Sequence, residues 1–279
     1  MVLTDDLAAR VTDVVKVIRA RSDLVPRVGI TLGSGLGGVM DALERPVLFP
    51  TAELPHWPRS TVAGHAGRLA LGHWQGVPVV ALAGRSHRYE GYTLDRVTLA
   101  ARVMHALGAR TMLFTNAVGA INAEFRPGDL MVAVDHINFI GKRGLFTPEE
   151  LKDRRAGRRV ATYYTPSVRQ SLTAAAGRAG VRLHSGTLMG SHGPTYETRA
   201  EIVMARKFGA DVACMSTVHE VTVAAELGCE TASLSCITNL ATGLSPAPLT
   251  HEEVTVVADQ AAVGLRKILE EYLRGEPSR

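Results

Sequence analysis

The sequence predicts an α/β protein, a single domain with a mixed, largely parallel central β-sheet flanked by helices. Three observations predict it. Short β-rich apolar runs alternate with amphipathic stretches of helical period. Threonines and glycines punctuate the two ends of those stretches. No linker, repeat or low-complexity tract divides the chain, so residues 1–279 read as one domain, and 46% hydrophobic content is enough for a sizeable core.

In chain order, residues 5–20 place Leu7, Val11, Val14, Val15 and Ile18 on one helix face. Further helices are predicted over 94–107, 166–179, 198–208, 217–227 and 250–273. Thr4, Thr93, Thr198 and Thr250 stand at N-cap positions, and Gly108, Gly180, Gly209 and Gly228 follow helix ends. Strands are predicted over 27–32, 68–72, 77–83, 110–116, 129–137, 184–190, 211–216 and 231–239.

The first residues lack the uninterrupted apolar run of a signal peptide, and no segment approaches the ~20 apolar residues of a membrane span. A cytoplasmic protein with no membrane partner is expected. Cys214, Cys229 and Cys236 sit in apolar surroundings without CxxC or zinc spacing, which reads as buried reduced thiols and no bound metal. The formal charge is only +4, and the basic run KDRRAGRR (152–159) has no interleaved aromatics to stack on bases. Small anionic substrates fit better than nucleic acid.

In sheets of this kind ligands collect at the carboxyl ends of strands. Six such ends run into polar or glycine-bearing segments: GSGLGG after 32, GRSHRYEG after 83, NAVGAIN after 115, SHGPTYET after 190, MSTVHE after 214 and TNLATG after 237. GSGLGG matches the dinucleotide pattern GxGxxG. That pattern also wants a substantial helix and then a strand ending in an acidic residue, whereas VMDALERPV is short and Glu53 lies among three prolines in FPTAELPHWPRS. The loop by itself reads equally as an anion cradle, with Ser34 and backbone N–H groups, or as a simple turn. Arg85 and His87, two residues apart at a strand end, face the same way and can grip one anion or form a surface ion-pair site.

Taken together and in order, GSGLGG, VAGHAGR, GRSHRYEGY, TNAVGAIN, GPTYETRAE, MSTVHE and ITN resemble the trimeric class of purine nucleoside phosphorylases, over about residues 25–257. The resemblance implies phosphorolysis of 6-oxopurine nucleosides or deoxynucleosides, such as inosine and guanosine, to base and pentose 1-phosphate. It implies no cofactor, phosphate being a co-substrate, and a homotrimer. Phosphate would lie among Ser34, Arg85, His87, the backbone of Ala117 and Ser216, with His65 close by. Ribose would lie against Tyr89 and Met215, with His251 reaching its 5′-hydroxyl. The purine would meet Glu197, Asn239, Tyr196, Ala117 and Val118, and the catalytic groups would be Asn239, Glu197 and His87. A carboxylate accepts from N1–H of a 6-oxopurine, and an amide stabilises charge on the leaving base.

Three departures stand out. Val118 replaces the second Ala of the family's N-A-A-G, His219 replaces the Pro of S-T-V-P-E, and Cys214 replaces the Gly before Met. In 142–164 Phe146 is the candidate for the aromatic that completes a neighbouring subunit's ribose site. The rival methylthioadenosine phosphorylases have a small hydroxyl residue where Glu197 stands and Asp where Asn239 stands. A dinucleotide-binding module would leave Arg85, His87, Glu197 and Asn239 without a role.

Overall fold

The computed structural model describes residues 6–62, 67–141, 145, 162–244 and 251–276, with the side chains of Asp6 and 251–255 outside the description. Its strands are β1 (Val28–Leu32), β2 (Glu44–Pro50), β3 (Arg68–Trp74), β4 (Val77–Ala83), β5 (Thr111–Ala120), β6 (Leu130–Asn138), β7 (Leu183–Gly190), β8 (Val212–Cys214) and β9 (Glu230–Leu240). The helices are α1 (Asp6–Arg19), α2 (Leu94–Val97), α3 (Leu99–Leu107), α4 (Pro166–Ala179), α5 (Arg199–Lys207), α6 (Val218–Glu226) and α7 (His251–Arg274).

Among the described residues nine strands form one sheet in the order β2-β3-β4-β1-β5-β8-β7-β6-β9. Strand β9 also pairs back onto β5, so β5, β8, β7, β6 and β9 close into a ring. The sheet is mixed, with parallel pairings outnumbering antiparallel ones by five to four.

Alternation along the central strands sends side chains to two apolar layers, because successive residues of a strand face opposite sides. Val80, Leu82, Met112 and Phe114 pack with Val14 and Ile18 of α1, Met104 of α3 and Val221 of α6. Ile30, Val79, Ala81 and Leu113 pack with Leu172 of α4 and with Leu265 and Leu269 of α7. Helices thus cover both faces, as an internal sheet requires.

Several elements differ from the sequence reading. Strand β2 was not foreseen, since Pro46 and Pro50 argue against a strand; it survives at the sheet edge, mostly exposed, where missing N–H donors cost little. The 94–107 helix is broken at Thr98, whose hydroxyl bonds back to the Leu94 carbonyl at 2.7 Å. Thr198 caps α5 by accepting from Glu201 N, but Thr93 makes no side-chain cap bond. Thr4 and Thr250 lie outside the described residues. After the glycine loop comes only a six-residue 3₁₀ helix, Gly37–Ala42, and Glu53 ends a short 3₁₀ turn instead of a strand, so the dinucleotide unit is absent there. The three cysteines are free and buried.

The glycine loop is pressed against β5. A Cβ on Gly33 would lie 2.9 Å from the Thr115 carbonyl oxygen and 3.0 Å from Asn116 Cα, both backbone atoms that cannot swing aside. Gly33→Ala is therefore expected to destabilise the protein by about 1–3 kcal/mol, the scale of overpacking a filled site. Urea unfolding checks this, and an unchanged midpoint contradicts it.

Candidate functional site

The carboxyl ends of β1, β4, β5, β8 and β9 converge on one pocket of about 780 Å³, its open mouth included. It brings together Ser34, Arg85, His87, Tyr89, Ala117, Val118, Tyr196, Glu197, Met215, Ser216 and Asn239, drawn from stretches more than two hundred residues apart. His65 and Phe146 lie outside the described residues. His251 begins α7, and its side chain is likewise outside the description.

One wall is cationic and heavily bonded. Arg85 emerges after β4, and its side chain and that of Glu220 in α6 are each only 3% exposed. Arg85 Nη1 donates to Glu220 Oε2 at 2.6 Å, to Thr217 Oγ1 at 2.9 Å and to Ser216 Oγ at 3.4 Å. Its Nη2 donates to the Thr115 carbonyl of β5. Asn116 Nδ2 donates to the same Thr217 hydroxyl at 3.0 Å, while its Oδ1 is buried with no partner among the described residues. Sequence reasoning missed both Glu220 and Asn116, although each lies in a segment it had marked.

Ser216 stands at the N-terminus of α6, where backbone dipoles favour negative charge. Thr217 next to it has φ 64° and ψ −53°, and Val218 N donates to the Ser216 carbonyl at 2.7 Å. This is a strained three-residue turn. Thr217 N donates to Glu220 Oε2 at 3.2 Å, so one carboxylate secures both the arginine and the turn.

His87 is fixed from behind. Its backbone N and its Nδ1 both donate to Glu90 Oε1, at 2.6 and 3.1 Å, and its ring stacks on Tyr89 at 4.8 Å. Glu90 also accepts from Thr61 N and Oγ1, tying down the segment before residues 63–66. Burial pushes the Glu90 carboxyl up, but bonds from the His87 side chain, from Thr61 and from the His87 backbone outweigh it and bring it down to about 2. Burial, then Glu90 and Tyr196, raise Tyr89 to about 12, which keeps its hydroxyl a donor.

The same pocket is lined by Tyr196, Glu197, Val118 and Asn239. Tyr196 is exposed and Glu197 is half-buried, accepting from the Ser191 hydroxyl at Oε1. The loop holding them is constrained: a Cβ on Gly193 would lie 2.4 Å from Met215 Sδ and 3.0 Å from Tyr89 Cδ1. Asn239 spends one amide hydrogen on the Leu240 carbonyl, and its Oδ1 accepts from Thr238. Thr242 also lines the pocket, with its hydroxyl buried and unpartnered among the described residues. It was not foreseen, since a threonine three residues past Asn239 has no distinguishing signal.

The departures from the family pattern are accommodated. Val118 is buried and takes its place in the core as well as the pocket wall. Burial raises the Cys214 thiol to about 11 against a backbone hydrogen bond at Ser216 that lowers it, leaving it uncharged and a poor nucleophile. Burial, then Arg85, His87 and His136, lower His219 to about 3, so its imidazole is neutral. Among the described residues no group of three His, Cys, Asp or Glu side chains could hold a metal ion, and no helix is long and apolar enough to cross a membrane.

Comparison with known proteins gives the family and the fold. Residues 27–274 match the model of the phosphorylase superfamily. Purine nucleoside phosphorylase 1 of Geobacillus stearothermophilus is 41% identical over 252 residues, covering 89% of this chain and 91% of its own. The rat purine nucleoside phosphorylase is 39% identical over 271 residues, covering 94% and 93%. The crystal structure of Schistosoma mansoni purine nucleoside phosphorylase with inosine superposes with a TM-score of 0.87 at 30% identity, covering 96% of this chain and 97% of that one. Its counterpart with adenosine gives 0.88 at 32%, covering 96% and 98%. The chain belongs to the phosphorylase superfamily and, within it, to the purine nucleoside phosphorylases.

Two predictions follow from the cationic wall. Glu220→Ala leaves a buried guanidinium without its counter-charge and is expected to lower unfolding free energy by about 3–5 kcal/mol in urea titrations, with equal stability as the contrary result. Glu90 is depressed from 4.5 to about 2, so its stabilising contribution is complete above pH 4.5 and is lost as pH falls toward 2. Thermal unfolding from neutral to acid pH should therefore show a steeper loss for wild type than for Glu90→Gln below pH 4.5. Parallel curves would remove Glu90 as the cause.

Proposed function

We propose that the pocket catalyses phosphorolysis of 6-oxopurine ribonucleosides or deoxyribonucleosides, with phosphate bound among Ser34, Arg85, His87, the Ala117 backbone and Ser216. In this reading His65 joins them, Tyr89, Met215 and His251 hold the pentose, and Glu197 and Asn239 meet the purine beside Tyr196 and Val118. The observation that carries it is the polarity of one pocket: a donor-rich cationic group at the helix terminus lines the same cavity as a carboxylate and an amide.

The chemistry follows from charge. As the glycosidic bond breaks, C1′ becomes positive and the departing base negative. Phosphate held at the Arg85 wall attacks C1′ directly; the new C1′–O bond forms as the C1′–N9 bond breaks, with inversion and no covalent enzyme intermediate. The electron pair of the old bond goes to the purine. Asn239 then donates toward N7 and acts most strongly on the charged leaving base, while Glu197 accepts from N1–H and holds the purine in place for it. Adenine has no hydrogen on N1 and leaves Glu197 unmatched, which disfavours it. The reading includes a homotrimer in the cytoplasm, with a neighbouring chain finishing the ribose side.

Incubating the enzyme with inosine, with and without inorganic phosphate, tests the reaction: hypoxanthine and ribose 1-phosphate are expected only with phosphate. Release that ignores phosphate would make the enzyme a hydrolase. Glu197→Ala and Asn239→Ala are each expected to lower kcat for inosine by roughly 10²-fold or more, the scale of losing one group aimed at developing charge.

A further inference from the structure

The carboxylate that faces the purine is itself held by a residue without an assigned role. Ser191 follows β7 directly, and its backbone N donates to the Cys214 carbonyl at 2.8 Å. Its hydroxyl donates to Glu197 Oε1, and the same Cys214 carbonyl lies within reach at 3.4 Å as a longer alternative. A serine hydroxyl has one hydrogen, so it serves one acceptor at a time. Glu197 Oε2 accepts no hydrogen bond among the described residues. The loop between is pinned by Gly193 against Met215 and by the Thr198–Glu201 capping pair, which leaves Glu197 little freedom to turn.

We infer that Ser191 is a specificity-determining residue that, by occupying Glu197 Oε1, biases the pocket toward 6-oxopurines lacking a 2-amino group. This rests on the reading of the pocket as a 6-oxopurine site. Hypoxanthine presents one donor, N1–H, to the carboxylate, and Oε2 suffices for it. Guanine presents N1–H and the C2 amine side by side, which match the two oxygens of a carboxylate as a bidentate pair. With Ser191 in place, the amine must share Oε1 or turn the hydroxyl to the longer Cys214 contact. Either course costs guanosine binding energy that inosine keeps.

The test measures kcat/KM for inosine and guanosine, with phosphate, for wild type, Ser191→Ala and Ser191→Thr. Removing the hydroxyl is expected to raise the guanosine-to-inosine ratio roughly tenfold, the scale of one hydrogen bond to a charged group, while Ser191→Thr keeps the wild-type ratio. A merely structural role would lower both substrates together. Should Ser191→Ala fail to fold, Ser191→Cys, whose thiol is a weak donor, is read by the same ratio. An active wild type with an unchanged ratio in the hydroxyl-less variant overturns this inference alone. A wild type that consumes neither nucleoside overturns the proposed reaction and this inference with it.

Discussion

The buried ion pair between Arg85 and Glu220 organises the site, because it joins three separate parts of the fold at one point. Arg85 comes from the end of β4, Glu220 from the first turn of α6, and the Thr115 carbonyl that takes the second guanidinium nitrogen from β5. Two desolvated charges gain little net stability from each other, yet removing either is costly. The pair is therefore better understood as a geometric lock than as a source of stability. It holds the strained Thr217 turn, which costs on the order of 1–3 kcal/mol, in the conformation that sets Ser216 at the mouth of α6.

The two carboxylates behind the cationic wall, Glu220 and Glu90, each back a cationic or potentially cationic group, Arg85 and His87. An anion entering the pocket meets donors first, with the negative charges set behind them and bonded. Glu197 lines the same pocket, on a loop braced against Met215 and Tyr89. In the proposed reaction that arrangement is what charge development demands. The incoming phosphate and the outgoing purine are both anionic in the transition state, so donors must meet each of them, and the one carboxylate at the purine must meet an N–H.

How much of this the sequence discloses depends on whether a feature is local. Strand and helix periods report burial, so the alternation of Val79–Ala83 and Thr111–Phe114 and the apolar face of α1 were legible. Pairing is not local: nothing in β5 or β9 taken alone says that they meet and close a ring. Strand β2 was hidden because its prolines are tolerated at an edge that only the finished sheet defines. The same rule governs the site. Arg85 and His87, two residues apart, were readable as a pair. Glu220 lies 135 residues from Arg85, and its part is visible only when α6 is docked. Ser191 escaped because a serine in a polar loop has no periodic or motif signal, whatever it bonds.

His219 shows how tightly charge is controlled around this lock. Its imidazole is 1% exposed in the first turn of α6, with Nδ1 unpartnered among the described residues, beside the influence of Arg85 and His87. A buried nitrogen without a partner costs on the order of 1–3 kcal/mol, and a protonated ring there would cost far more, since desolvation, then Arg85, His87 and His136, oppose the charge. Burial and those neighbours hold it neutral. The substitution of histidine at a position that the family fills with proline is thus tolerated on one condition, that the ring behaves as an apolar filler. It can do so because Glu220, one residue on, already matches Arg85, leaving no unmet negative charge to draw a proton onto His219.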